Sequence, residues 1–308
     1  MSHSEIVVVG SCMIDFVSYA PRLPNVGETI HGKEFVTNFG GKGANQCVAA
    51  AKLGGKTALV ARVGDDVWGP KYVHNLNKEQ VNTQNIKSTD NTSTGVAQII
   101  VSEKGENQIV IVAGANGKLS VEDVEEAQNS ITNAKVLVVQ LETSEQVAIR
   151  AIQFCRGISI LNGAPALSKY NPQLLSLPTI FCVNESEASV FAGMPVNSAK
   201  DAETAALKLL SRGCNSVLIT LGAQGAIYVD SKNKHFHHIS CPEVKCVDST
   251  GAGDAFIGAL AYLLAYEKNI NIQQAIQKAC IIASDSVTRS GTQISFPGPS
   301  ILCTENYN

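Results

Sequence analysis

Residues 134–163 read AKVLVVQLETSEQVAIRAIQFCRGISILNG, and this stretch decides the fold. Val136–Leu141 is a short, mostly apolar run of strand type, and Ile158–Asn162 is a second. Between them Glu145–Cys155 carries apolar residues at helical period, so the segment reads strand, helix, strand. Two strands buried on both faces and joined by a helix make a right-handed parallel crossover. The same alternation runs outward in both directions. Ile6–Gly10, Thr57–Val63, Thr179–Val183 and Ser216–Leu221 are further strands, and Ala44–Leu53, Val121–Thr132 and Ala202–Leu210 are helices between them. The expected architecture is α/β, a doubly wound and mainly parallel sheet flanked by helices.

Two regions break the rhythm. Asp15 to Gly40 is turn-rich and strand-like, with Pro21, Pro24 and Gly27. From Gly95 to Ala113, Val96–Ser102 and Gln108–Val112 flank the polar segment Glu103 to Asn107, a hairpin pattern. Neither fits the parallel sheet. They are expected to form a small second sheet, a lid over the open end of one domain spanning residues 1–308, built from insertions at about 15–40 and 95–113. The C-terminal part is helical: Phe256, Leu260, Leu263 and Leu264 share one face, and Ile276, Cys280, Ala283 and Val287 another.

The chain has 308 residues, 44% hydrophobic and 17% charged, with 24 basic and 27 acidic side chains. A net charge of -3 without a run of like charges lacks the footprint of a nucleic-acid binder, so no nucleic-acid partner is expected. No apolar run approaches the roughly 20 residues needed to cross a bilayer, and Met1 to Glu5 leads directly into a strand without a secretory leader. The nine cysteines are dispersed, odd in number and without a Cys-x-x-Cys, which reads as reduced thiols in the cytoplasm. His235, His237 and His238 lie in a short strand-like segment and are not expected to bind metal.

Four glycine- or polar-rich segments carry chemistry. Asp248-Ser-Thr-Gly251-Ala252-Gly253-Asp254 opens an apolar helix, where a helix N-terminus offers unpaired N–H groups to an anion. Asp254, in the first turn, also suits a purely structural role near the positive end of the dipole. Asn38-Phe-Gly-Gly41-Lys42-Gly43-Ala44-Asn45-Gln46 opens another helix and offers an ammonium and amides to a polyhydroxylated ligand; a tight turn with Lys42 in solvent fits equally. Thr220-Leu-Gly222-Ala-Gln-Gly225 ends a strand and reads either as a nucleotide loop or as a hairpin turn. Asn184-Glu-Ser-Glu187 follows a strand and could simply cap a helix. Gly55-Lys56-Thr57 is no Walker loop, because Ala50 replaces the first glycine and a strand follows. A Gly-x-Gly-x-x-Gly dinucleotide fingerprint is also missing, since Phe256 holds its last position.

Taken together and in this order, the Gly-Gly-Lys-Gly-Ala-Asn-Gln and Asp-Ser-Thr-Gly-Ala-Gly-Asp blocks resemble the ribokinase family of carbohydrate kinases, over nearly the whole chain from Ile6 to about Ser295. The resemblance implies MgATP-dependent phosphorylation of D-ribose at O5, with deoxyribose, fructose or a nucleoside as other acceptors within the family. It implies Asp254 as catalytic base and Gly251, Ala252 and Gly253 as the anion hole. Sugar-binding positions would be Asp15, Gly41, Lys42, Gly43, Asn45, Glu142 and Asp254, with Met13 where many relatives carry Asn. Asn184 and Glu187 would serve Mg²⁺ and phosphate, and Thr220, Gly222, Gly225 and Gly253 the nucleotide. Asp248, Thr250, Ser286, Arg289, Gly291 and Ser295 would surround an activating K⁺ or similar cation, partly through backbone carbonyls. The family also implies a homodimer through the lid sheets and a cytoplasmic, in part nuclear, location.

Overall fold

The computed structural model describes residues 3–304, so Met1 and Ser2 of the segment expected to lack a leader, and the last four residues of the expected domain, lie outside the described residues. Nine strands form the main sheet in the order β13-β12-β11-β10-β9-β8-β1-β4-β5. The central strands β1 (Ile6–Val9) and β8 (Val136–Val139) lie side by side, and β4 (Thr57–Gly64) and β5 (Asn82–Thr89) extend one way from β1. From β8 the sheet runs the other way through β9 (Ile158–Asn162), β10 (Ile180–Asn184) and β11 (Ser216–Thr220), all parallel. Only β12 (Ala226–Asp230) and β13 (His237–Ile239) are antiparallel additions. All six expected parallel strands are present. Chain order reverses between β1 and β8, and ligands of such sheets bind beyond the strand C-termini at that reversal.

The two-residue strand period divides the sheet between two cores. Ile6, Val8, Leu59, Val136, Val138 and Ile160 face one core. Over it lie α1 (Lys42–Lys52), α2 (Trp68–Lys78), α9 (Ala252–Tyr266) and α10 (Ile272–Ser286). Val7, Val9, Val60, Leu137, Val139 and Leu161 face the other, beneath α3 (Val121–Glu126), α4 (Gln128–Asn133), α5 (Glu145–Phe154), α6 (Gln173–Ser176), α7 (Glu185–Ala192) and α8 (Ala199–Ser211). The helix expected over Val121–Thr132 is divided: the Ala127 N–H is shared between the carbonyls of Asp123 and Glu125, which tightens the turn before the helix restarts.

The second sheet has the order β3-β2-β6-β7. β2 (Met13–Ala20) and β3 (Glu34–Gly40) come from the first interruption, β6 (Gly95–Ser102) and β7 (Asn107–Val112) from the second. Phe16 meets the Trp68 ring edge-on at 5.4 Å and Phe39 meets Tyr72 at 5.0 Å, which seats β2 and β3 on α2. At the junction between the sheets Asn116 is fully buried and bonds both the N–H and the carbonyl of Cys12 at 2.8 Å. It thereby fixes the turn from β1 into β2. On β7, by contrast, Ile109, Val110, Ile111 and Val112 are each more than half exposed.

Candidate active site

A cleft of about 190 Å³ lies beyond the C-terminal ends of β9, β10 and β11 and is closed from below by the first turn of α9. A larger hollow of about 410 Å³, lined by Lys56, Thr57, Gln80 and Asn82, lies at the opposite end of the sheet where β4 and β5 begin. We place the site in the smaller cleft, because charged groups and a helix N-terminus converge there.

Of the residues expected at a site, Lys42, Asn184, Glu187, Thr220, Gly251, Ala252, Gly253 and Asp254 line this cleft. Asn162, Ala164, Cys182, Val183, Ser249, Phe256 and Ile257 complete its wall; of these only Ser249 lay in a segment singled out from the sequence as carrying chemistry. Gly251 caps α9 at φ 80, a left-handed conformation, and an added Cβ would meet Thr292 at 2.5 Å. No side chain caps the helix. The Ala252 N–H turns back to the Ser249 carbonyl at 3.1 Å, and those that follow belong to the open first turn facing the cleft. A Cβ on Gly253 would meet nothing within 4 Å, so the missing side chain leaves room for a ligand and is not demanded by packing. This is an anion-binding cradle by construction.

Asp254 is 8% exposed and held at both oxygens. Asn45 donates Nδ2 to Oδ2 at 2.9 Å and Gln46 donates Nε2 to Oδ1 at 2.9 Å. Those partners are 209 and 208 residues away in the chain. They are brought in by α1, whose N-terminus abuts β1: the Ala44 N–H donates to the Ser11 carbonyl at 2.9 Å. Gly41 makes that approach possible at φ 89, where a Cβ would lie 2.8 Å from the Met13 nitrogen. Glu142, at the end of β8, accepts the Lys42 N–H at 2.9 Å and the Ser11 hydroxyl, placing a carboxylate on the positive end of α1. Gln46 in turn accepts from Gln140 Nε2 at 2.7 Å and donates to Asn162 Oδ1 at 3.1 Å. Gln140 and Asn162 were not singled out from the sequence, because an interior Gln or Asn has no spacing signature.

Lys42 gathers the negative charge. Its burial alone would lower its pKa, but Asp254, Glu142, Glu187 and Asp15 together raise it above the ordinary lysine value. Burial pushes Asp15 up to about 7, with Glu142 and Asp254 adding and Lys42 opposing. Asp15 stands on β2 against Gly40, where a Cβ would come 2.1 Å from its carboxylate. Met13, two residues earlier, is 4% exposed at the foot of the same strand, paired with Gly40 and Gly95. Gly43 packs its Cα face on Gly10 and Ser11.

Asn184 and Glu187 do form a helix cap. The Asn184 side chain accepts the Glu187 N–H at 2.8 Å, and Glu187 Oε2 accepts the Asn184 N–H at 2.9 Å. Both also line the cleft, so capping and ligand binding are not exclusive. Glu187 is pushed up by burial, against the Asn184 N–H and Lys42. The Thr220–Gly225 segment is in form the hairpin turn, the antiparallel connection from β11 to β12, and of its residues Thr220 reaches the cleft. Gly222 is exposed and Gly225 closes the turn against Ile239; neither lines the cleft.

The residues expected around a monovalent cation are brought together only in part. Asp248 accepts the N–H of Thr250 and, 43 residues on, of Gly291, each at 2.9 Å, and these bonds hold its carboxyl below the usual range despite burial. The Ser286 hydroxyl is used within its own helix, on the Ala283 carbonyl at 2.7 Å. Arg289 donates Nη2 to the Ser295 carbonyl at 2.8 Å, so a guanidinium already serves that oxygen. Among the described residues no group of three or more His, Cys, Asp or Glu forms a metal cage. Glu187, Asp254 and Asn184 facing one cleft suit a divalent cation carried in on a polyphosphate with much of its own water.

Comparison with known proteins agrees with the fold. The description "pfkB family carbohydrate kinase" matches residues 3–299. Ribokinase of Mus musculus is 48% identical over 297 residues, 96% of this chain and 92% of that protein. Deoxyribokinase of Salmonella typhi is 37% identical over 296 residues, 95% of each chain. A structure of Arabidopsis thaliana ribokinase complexed with ribose and ATP superposes with a TM-score of 0.89 at 29% identity, covering 100% of this chain and 99% of that one. The chain belongs to the pfkB family of carbohydrate kinases. It has the ribokinase-like fold and is an enzyme, a phosphotransferase with an alcohol group as acceptor. No helix among the described residues is long and apolar enough to cross a membrane.

Proposed function

We propose that this enzyme transfers the γ-phosphoryl group of MgATP to O5 of D-ribose, with Asp254 as general base. The observation that carries the reading is the seat of Asp254: a buried carboxylate, held at both oxygens, in the same helical turn as an uncapped N-terminus and an open glycine. In-line phosphoryl transfer needs positioning and charge stabilisation more than covalent help. Asp254 would take the hydroxyl proton as the oxygen attacks. The first turn of α9 and Lys42 would face the charge spreading over the transferring group. Mg²⁺, held by the polyphosphate and near Glu187, would neutralise part of that charge. Asp15 and Lys42 would hold sugar hydroxyls, while the second sheet, as a lid, would exclude water. A monovalent cation fits beside Asp248 and Thr250, where residues 289–295 turn back on the anion cradle.

Ribose is favoured over deoxyribose by identity to the mouse relative, 48% against 37% for the Salmonella deoxyribokinase. A panel of D-ribose, 2-deoxyribose, fructose and adenosine with MgATP, with and without K⁺, tests it by ADP release. D-Ribose is expected to give the highest kcat/KM and K⁺ to raise it. A higher value for any other acceptor would replace ribose as the substrate, and equal rates without K⁺ would remove the cation.

Asp15 adds a pH dependence. With its pKa raised to about 7 in the free protein, the carboxylate is ionised above neutrality and protonated below it. An ionised Asp15 accepts two sugar hydroxyl bonds and the acid accepts fewer. Ribose affinity is therefore expected to fall about tenfold per pH unit once Asp15 protonates, and Asp15→Asn to abolish that slope. Calorimetric titration with ribose across neutral pH measures both.

The exposed strip Ile109–Val112 is proposed as a dimer contact between lid sheets. Fully burying such a side chain is worth about 1.5–3 kcal/mol; with each about half exposed, the strips of two copies together reach the range of the association cost of about 4–15 kcal/mol. Val110→Lys with Val112→Lys is expected to turn a dimer into a monomer in light scattering; a parent that is itself monomeric would end this proposal.

A further inference from the structure

The carboxylate of Asp254 is reached by a one-way chain of amides that starts outside the cleft. Asn75, on α2, donates Nδ2 to Oε1 of Gln293 at 3.1 Å. Gln293 donates Nε2 to Oδ1 of Asn45 at 2.9 Å, and Asn45 donates Nδ2 to Oδ2 of Asp254 at 2.9 Å. Gln293 and Asn45 each receive at oxygen and give from nitrogen, and the chain ends on a carboxylate oxygen of Asp254 that accepts.

This direction has a consequence for Asn45. Turned over by half a rotation about its terminal bond, its amide would point a carbonyl oxygen at a carboxylate oxygen, and its N–H groups away from Asp254. The two orientations have the same shape, so packing cannot choose between them. The choice is made from both ends: the carboxylate of Asp254 takes the N–H, and the donor that Gln293 presents to Oδ1 takes the carbonyl and locks the amide in that sense.

Gln293 is itself tightly fixed. It is 5% exposed, its Nε2 also reaches the Tyr72 hydroxyl at 3.3 Å, and its backbone carbonyl accepts from Lys52 Nζ at 2.6 Å. The Tyr72 hydroxyl is oriented by donating to the Gly40 carbonyl, so it is left to accept from Gln293. Gln293 does not line the cleft. Polar groups so deeply buried are costly unless fully paired, and this set is paired with a single sense.

We propose that Gln293 is a positioning residue for the phosphoryl transfer, acting through Asn45 to hold Oδ2 of Asp254 while Gln46 holds Oδ1. The inference rests on the reading of Asp254 as general base. Lys52, Tyr72, Asn75 and Gln293 are then an outer frame for that base, contributed by α1, α2 and the segment after α10.

A double-mutant cycle tests it. Gln293→Leu, Asn45→Ala and the double variant are compared by kcat, by KM for ribose and for MgATP, by equilibrium ribose binding and by thermal melting. Gln293→Leu is expected to lower kcat about tenfold, within the coupling range of contacting residues, with KM for MgATP unchanged. The double variant is expected to be no slower than Asn45→Ala alone, because Gln293 acts only through Asn45. Losses that multiply in the double variant, or an unchanged kcat in Gln293→Leu, overturn the inference. Should Gln293→Leu fail to fold, Gln293→Glu is read on the same cycle, since its carboxylate keeps the shape and the acceptor for Asn75 but cannot donate to Asn45. Asp254→Asn assayed in parallel separates the two readings. Full turnover there defeats the base assignment itself, whereas multiplying losses beside an inactive Asp254→Asn defeat only the role of Gln293.

Discussion

Asp254→Asn is expected to bind D-ribose and MgATP close to the parent affinities while its turnover falls by about 10²–10⁴-fold, the usual contribution of a positioned general base. The substitution keeps shape and volume, so the Asn45 and Gln46 amides that now donate to Oδ2 and Oδ1 at 2.9 Å stay in place. One of them loses its acceptor, because a carboxamide offers one oxygen where the carboxylate offers two. That is a stability cost, visible in a melting curve. It does not remove the sugar or the nucleotide from the cleft. Calorimetry for binding and single-turnover assays for chemistry keep the two effects apart. A variant with nearly parental turnover would leave Asp254 as a structural residue at a helix N-terminus, the reading its position alone allows.

Gly253→Val is expected to fold and to lose about 10²–10³ in turnover, the scale of removing one donor from an oxyanion-type hole, with a raised KM for MgATP. The argument is one of space. A Cβ at Gly253 meets nothing within 4 Å, and the residue lines the cleft, so the new isopropyl group would stand where a phosphate needs to lie. Its neighbour makes the internal control. Gly251 adopts φ 80 and faces Thr292 at 2.5 Å from a built Cβ, so Gly251→Val is expected to lower the melting temperature as well as the activity. Should Gly253→Val turn over normally, phosphate does not bind at the first turn of α9.

How much of this was legible in the sequence differs by element, for physical reasons. Strands buried on both faces, such as Val136–Val139, announce themselves as runs dominated by apolar residues, and the six of them set the α/β reading. The edge strand β5, Asn-Thr-Gln-Asn-Ile-Lys-Ser-Thr, carries no such run because none of its side chains is fully buried. It escaped notice, as did α2 beside it. The second sheet was visible through its turns and hairpin pattern, since Pro, Gly and the polar tip at Glu103–Asn107 punctuate it.

At the site, glycines and helix-opening carboxylates were legible because backbone geometry demands them at fixed places. Asn45 was expected to meet the sugar, and the structure also gives its amide to Asp254 and Gln293. Gln46 closed a quoted block without a role of its own, and Gln140, Asn162 and Gln293 left no trace in the pattern. Their amide partners lie 94 to 248 residues away, and only the fold brings them together.

The central claim is that a hydroxymethyl oxygen of ribose is delivered to the γ-phosphate beside Asp254. Phosphorus NMR of the product formed from D-ribose and MgATP, with carbon–phosphorus coupling to locate the new ester, tests this most directly. The expected result is D-ribose 5-phosphate in equal amount with ADP. Phosphate at any other carbon, or ADP accumulating with inorganic phosphate and unmodified ribose, would contradict the account.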